Sequence, residues 1–238
     1  MQAGLTVITW NSQGNRGMDV AQVSASLGEY QPDLVLLQEI QRRQLRALGS
    51  AMAMPYARWR FKHWAVTVPA EGLGLLSRLP LDRVRTQVLA HPWQFWNWCR
   101  RVAVHFEVST DGAVLRGANV HLGAGVSHDE RARQARVLLG TTAGSELIGG
   151  DLNAEPDSVE LQCCLDAGWR DAERRLHGLI PRPSTNWKPG PRTQAPTQRL
   201  DYLLVRDRVE VIEAFVPTDW RVWAPLSDHL PVIARIWG

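Results

Sequence analysis

The chain has 238 residues, 45% of them hydrophobic, and no Ser/Gly linker, repeat or low-complexity block divides it, so one domain over 1–238 is expected. Its net charge of +3 rests on 25 arginines and only 2 lysines. That permits a phosphate-bearing partner without demanding one, since arginine's fork suits phosphate but a GC-rich genome gives the same bias. Three cysteines (Cys99, Cys163 and Cys164) exclude a disulfide framework or a zinc pattern; with no export run and no stretch near ~20 apolar residues, a soluble cytoplasmic protein is expected.

In chain order, Leu5 to Trp10 reads as a buried strand delivering Asn11, followed by a turn at Ser12-Gln-Gly14. Met18 to Leu27 has helical spacing, and Asp33 to Glu39 is a second strand with the acid at its carboxyl end. Helix signals return over Gln41 to Met52. Tyr56 to Val68 is aromatic and basic. Strands are expected at Leu73 to Ser77 and Val84 to Leu89, then a hairpin of Val102–Val108 and Val114–Leu122 around Thr110-Asp-Gly112. Ser127 and Glu130 form a capping box that opens a helix to Gly140. A strand over Glu146 to Gly150 follows, with Gly149 and Gly150 allowing a close backbone approach. Asp157 is expected to cap a helix that ends at Gly168. Pro181 to Pro196, with five prolines and three basic residues, reads as a long loop; strands at Arg199–Val205, Val209–Phe215 and Leu230–Trp237 complete the chain.

Polar residues recur at the strand mouths: Asn11, Glu39, His121, Asp151, Asn153, Asp228 and His229. Read as a strand end, Asp151 and Asn153 point the same way and can serve a hard cation with a water beside it. Asp201 lies in an apolar strand, where a charge calls for a partner. Each residue also has a plain reading: a turn former at Asp151, a solvated terminus at Glu39, a core histidine at His121, a structural ion pair at Asp201. Their coincidence in one chain is what points to a site.

The motifs TWNSQG (9–14), DLVLLQE (33–39), GLGLLSR (72–78), NVHL (119–122), GGDLNAEP (149–156), RLDYLLV (199–205) and SDHLPV (227–232) occur in the order of the endonuclease/exonuclease/phosphatase superfamily. The chain resembles that superfamily, whose fold is that of deoxyribonuclease I and exonuclease III, over nearly its whole length. WNSQG, LDY and SDH are also similar to the nuclease subunit of cytolethal distending toxins. The resemblance implies a four-layer α/β/β/α sandwich with two mixed sheets face to face. It implies Mg²⁺, replaceable by Mn²⁺, held by Glu39 with Asn11 nearby and Asp228. It makes His229 the general base or a phosphate-polarising group, oriented by Asp201, with Asp151 and Asn153 positioning the attacking water. His121 would contact the scissile phosphate with Glu71 as its partner, and Tyr56 is the candidate counterpart of a tyrosine that many members place near the phosphate. GLGLLSR departs from the pattern of abasic-site endonucleases.

The expected activity is therefore metal-dependent phosphodiester hydrolysis, with nucleic acid as substrate and water as the nucleophile. The alternatives are a phosphoinositide or other phosphoester phosphatase, a sphingomyelinase-like lipid phosphodiesterase, and a catalytically silent binding module. Candidate backbone contacts are Arg100 and Arg101, and Arg182, Lys188 and Arg192 in the proline-rich loop. Trp96 and Trp98, within the aromatic run 93–98, are either core or a wall on which unpaired bases stack; exposed, they also suit a membrane surface, the less favoured partner.

Overall fold

Continuous apolar runs alternate with one-sided helical stripes, and the chain winds them into two sheets with helices outside. The computed structural model describes residues 4–65, 68–90, 100–110, 112–178, 183–187 and 190–237. The first half contains β1 (Leu5–Asn11), α1 (Val20–Gly28), β2 (Leu34–Gln41), α2 (Arg42–Ala51), β3 (Tyr56–Ala65), β4 (Val68–Ser77) and β5 (Leu81–Ala90). There follow β6 (Arg101–Thr110), β7 (Ala113–His121), α3 (His128–Leu139), β8 (Leu147–Asp151), α4 (Val159–Asp166), β9 (Trp169–Asp171) and α5 (Ala172–His177). The chain closes with β10 (Asp201–Arg206), β11 (Glu210–Phe215), α6 (Trp220–Trp223) and β12 (Val232–Trp237).

Each sheet has six strands, ordered β11-β12-β1-β2-β4-β3 and β5-β6-β7-β8-β10-β9. Among the described residues, only β1–β2 and β7–β8 pair in parallel. Helices α1 and α2 cover the outer face of the first sheet through Val23, Leu27, Leu45 and Leu48. Helices α3 and α4 cover the second through Ala135, Leu138, Leu161 and Cys164, packed on Ala118, Val120 and Ile148. This is the four-layer α/β/β/α sandwich that the motifs implied. Among the described residues, no helix is long and apolar enough to cross a membrane.

The two glycines before Asp151 set how closely the layers meet. A Cβ on Gly149 would lie 2.4 Å from Leu36 Cδ1 of the facing sheet, and one on Gly150 would lie 1.9 Å from the Val120 carbonyl oxygen. A buried polar bridge also crosses the interior. Gln38 Nε2 donates to Asn119 Oδ1 at 2.8 Å and to Thr9 Oγ1 at 3.1 Å, while Asn119 Nδ2 reaches the carbonyls of Leu37 and Gly74, both at 3.0 Å. Such a bridge admits one register between the sheets, because any slip strands its polar atoms out of reach of water.

Several expected boundaries shift. The aromatic and basic segment becomes the edge strand β3, with Arg58 exposed on it, and charge on an edge discourages pairing with other chains. The α4 cap is Ser158, whose side chain accepts from Leu161 N, and not Asp157. Asp201 opens β10 instead of lying within it, and β8 stops at Asp151, so strand alternation does not extend to Asn153. The short elements β9, α5 and α6 have no periodic signal and form through burial of Trp169, Ala172 and Trp223. Of the cysteines, Cys163 and Cys164 are free, and burial pushes the Cys164 thiol up to about 12; Cys99 lies outside the described residues.

His105, on β6, is buried between Gln87 and Thr141, its Nε2 2.8 Å from Gln87 Oε1. Burial, helped by Arg85, lowers its pKa from 6.5 to about 4. The folded state thus holds a neutral ring where the unfolded chain takes up a proton below about 6.5. This stability is complete above that pH and drains away as pH falls through about 4. Urea titrations at pH 7.5 and 4.5 should differ by about 2–3 kcal/mol more in the wild type than in His105→Gln.

Candidate active site

The carboxyl ends of the parallel pairs β1–β2 and β7–β8 open at the same end of the sandwich, where α/β sheets build their sites. Pairing places His121, Asp151 and Asp201 side by side on β7, β8 and β10, since His121 pairs with Asp151 and Asp151 with Asp201. Asn11 pairs with Gln38 at the end of β1. The sequence thus puts these side chains at strand ends, and the strand order makes them neighbours.

Asp151 is the hub. Its side chain is buried, and each oxygen is held: Oδ1 accepts from Asn153 N at 2.8 Å, and Oδ2 from Asn11 Nδ2 at 3.0 Å. His121 Nε2 lies 3.6 Å and His229 Nε2 3.8 Å from the same Oδ2. Burial, then the nearby Asp201 charge, raises the Asp151 pKa above the ordinary carboxylate value. Asn153 has a φ of +48°, off the strand, and its Nδ2 donates to Leu122 O.

His229 Nδ1 is 2.7 Å from Asp201 Oδ2, and Trp10 Nε1 donates to the His229 carbonyl at 2.9 Å. Burial alone would lower the His229 pKa, but Asp201, Asp151 and Asp228 together raise it to about 10. The ring is an imidazolium at neutral pH. Asn186 lies 2.6 Å from His229 Nε2 through its carboxamide; an imidazolium there calls for the amide oxygen to face it.

Glu39 and Asp228 flank one turn. Gln13 Nε2 donates to Asp228 Oδ2 at 2.9 Å, and a Cβ on the adjacent Gly14 would meet the Glu39 carbonyl oxygen at 2.5 Å. Glu39 sits where β2 bulges between Leu37 and Ile40, at a φ of +53°, with its side chain 24% exposed and Oε1 3.9 Å from His121 Nε2. Gln13, Glu39 and Asn153 are three of the six non-glycine residues with positive φ among the described residues, so backbone strain gathers at this site. An accessible carboxylate on a strained bulge, beside buried acids and histidines, fits a hard divalent cation. A second set of close donor atoms, Asp151, Asp201 and His229, lies within 4.8 Å of one another. There Asp201 is committed to His229 Nδ1, which suits holding a proton. Both polar atoms of Asn11 are also engaged, Oδ1 accepting from Gln13 N.

Among the other candidates, Glu71 is buried on β4, opposite Gln41 and His63; burial and the Glu39 charge raise its pKa to about 7, against Lys62 and Arg101. Arg101 is thus within electrostatic reach of the site. Arg100 is instead pinned on β3, its Nη2 donating to Phe61 O at 2.8 Å with the guanidinium over the Phe61 ring. Arg192 donates to Gln13 Oε1 and to Ala224 O, so the proline-rich loop does border the Asp228 side. Tyr56 lies at the opposite end of β3, paired with Ser77, and belongs to the core periphery. Trp96, Trp98, Arg182 and Lys188 lie outside the described residues.

Two site residues carried no motif. Asn186 comes from an otherwise irregular loop, held by bridges to Gln198 and His229. Lys62 is fully buried, with Nζ 2.9 Å from His121 Nδ1. Its one signal was composition: a lysine in a chain that otherwise uses arginine almost throughout.

Comparison with known structures gives the same architecture. An endonuclease/exonuclease/phosphatase family protein from Leptotrichia buccalis aligns at a TM-score of 0.79 and 17% identity, covering 98% of this chain and 100% of that one. Bacteroides thetaiotaomicron mannosyl-6-phosphatase aligns at 0.74 and 16%, covering 98% and 100%. D. rerio TDP2 complexed with a single-strand DNA product aligns at 0.72 and 17%, covering all of both chains. A search of curated proteins gives no match. Residues 8–229 match the Endonuclease/Exonuclease/phosphatase family, and the chain belongs to that family of phosphoester hydrolases.

Proposed function

We propose that this protein is a divalent-metal-dependent phosphodiesterase that cleaves a nucleic-acid backbone by direct attack of water. The observation that carries the reading is the Asp201–His229 pair, 2.7 Å apart, set beside a buried Asp151 whose proton affinity is raised. That arrangement provides a positive charge for the phosphate and an acceptor for a water proton at one strand mouth. Support for a polymeric substrate comes from Arg101 and Arg192 beside the site and from the DNA product bound by TDP2.

In this reading Asp151 takes the proton of the attacking water, held in line by Asn11 and Asn153. The charge of the His229 imidazolium, fixed by Asp201, offsets the negative charge that builds on the phosphate. As the water oxygen bonds to phosphorus the bond to the leaving sugar oxygen breaks, that oxygen taking a proton from solvent, and His121 adds a contact from the other side of Asp151. Mg²⁺ or Mn²⁺, when bound by Glu39 and Asp228, supplies the positive charge that offsets the anionic diester. The phosphatase reading has its own support in the similarity to a mannosyl-6-phosphatase, and the assay below separates the two.

The deciding experiment measures hydrolysis of plasmid DNA, single-stranded DNA, RNA, phosphoinositide, a sugar 6-phosphate and bis(p-nitrophenyl) phosphate with Mg²⁺ or Mn²⁺. Cleavage of the nucleic acids and the synthetic diester is expected; turnover of the phosphomonoesters alone would replace this reading with a phosphatase. Excess chelator should abolish activity, and Glu39→Gln should require far more metal for half-maximal rate.

Substitutions should rank by what each group does. Asp151→Ala and His229→Ala should lower kcat by several orders of magnitude at unchanged circular dichroism. Asp201→Asn, which removes only the orienting partner, should cost about 10–100-fold. A near-wild-type His229→Ala would refute the assigned roles. Arg192→Gln should weaken nucleic-acid binding and reduce the salt slope of log K by about one. An unaltered slope would take Arg192 out of the phosphate path.

A further inference from the structure

Beneath His121 stands a charged group that the phosphodiesterase reading leaves idle. Lys62 is 1% exposed, and its Nζ lies 2.9 Å from His121 Nδ1. The lysine occurs where β3 shifts register against β4 between Phe61 and His63, and a bulge of this kind re-aims a side chain. Here the re-aimed chain spans from the first sheet to β7 in the second. On the far side of the ring, His121 Nε2 faces two carboxylates, Asp151 Oδ2 at 3.6 Å and Glu39 Oε1 at 3.9 Å.

We infer that Lys62 is a positioning residue that fixes the tautomer of His121, its ammonium donating to Nδ1 and so placing the ring's own proton on Nε2. The inference deepens the phosphodiesterase reading and rests on it for its catalytic consequence. The geometry argues it from both ends of the ring. A proton on Nδ1 would oppose the ammonium N–H at hydrogen-bond distance and leave a bare Nε2 lone pair toward two carboxylate oxygens. A proton on Nε2 satisfies both sides. Burial, more than any neighbouring charge, lowers the Lys62 pKa to about 8, so the amine is still largely an ammonium at neutral pH.

The residue type follows from the same requirement. An ammonium is a compact point donor, whereas a planar guanidinium would bring several further N–H groups into a closed interior. This accounts for a lysine at 62 in a chain with 25 arginines and 2 lysines. It also changes the part expected of His121. With Nδ1 accepting from the ammonium, His121 presents an N–H donor at Nε2 toward the phosphate. At Nδ1 the ring meets Lys62, beside the Glu71 partner that the family resemblance implied for His121.

The test reads the ring directly. Protein labelled with ¹⁵N-histidine, with and without Mg²⁺, is examined by long-range ¹H–¹⁵N correlation near pH 7, and His121 is assigned by the signal missing in His121→Gln. The expected signature is a neutral ring with its proton on Nε2. Lys62→Met should lose that signature and lower kcat on bis(p-nitrophenyl) phosphate by about 10–100-fold with little change in KM. Lys62→Gln, which returns an N–H donor without the charge, should restore the signature and part of kcat. A wild-type proton on Nδ1, or a Lys62→Met protein with unchanged signature and kcat, would overturn the inference. Should Lys62→Met fail to fold, the wild-type and Lys62→Gln spectra still decide. Because the tautomer is read without substrate, a protein that cleaves no diester would end the functional reading and leave this result standing on its own.

Discussion

The burial of the Asp151 carboxylate is the constraint on which the site depends. A carboxylate out of water is costly unless polar groups surround it; here Asn11 at the end of β1 and the Asn153 amide donate to it, and the two histidine rings stand 3.6 and 3.8 Å away. Those groups belong to both sheets, so the carboxylate is satisfied only when the sheets are docked in register. The polar bridge between Gln38 and Asn119 enforces the same register deeper in the interior. Docking and assembly of the site are thus one event.

Irregular strands do the aiming. Glu39 and Lys62 both sit at register shifts, in β2 and β3, and both leave the path that regular pleating would give them. A regular β2 would direct Glu39 by simple alternation; its bulge and left-handed backbone leave it partly open to solvent beside His121. Regular strands therefore carry the residues held by pairing, His121, Asp151 and Asp201. The bulges carry those that must reach across a gap or toward solvent.

The charges at this mouth balance as a group. Asp201, Asp151 and Asp228 hold His229 as an imidazolium, and Glu71 rises to about 7 beside Glu39 while Lys62 falls to about 8. Closely spaced groups pushed toward neutral pH from both directions suit proton transfer and charge stabilisation on a phosphate. The same scaffold carries a mannosyl-6-phosphatase and a protein bound to a DNA product, so substrate choice rests on what surrounds this centre and not on the fold.

Much of this was legible in the sequence. Apolar runs ending in Asn11, Glu39, His121 and Asp151 announced strands with polar mouths, and the order of the motifs implied the layered sandwich. Gly149 and Gly150 correctly signalled a close approach, because only an absent Cβ fits against Leu36 and the Val120 carbonyl. Tertiary structure alone decided which mouths adjoin. The placement of β10 beside β8 brings Asp201 to Asp151, and a loop without regular pattern carries Asn186 to His229. Lys62 shows the physical reason most plainly. Local periodicity records which face of an element is apolar, whereas a buried lysine is tolerable only if a partner from another sheet is waiting, and no local pattern encodes that partner.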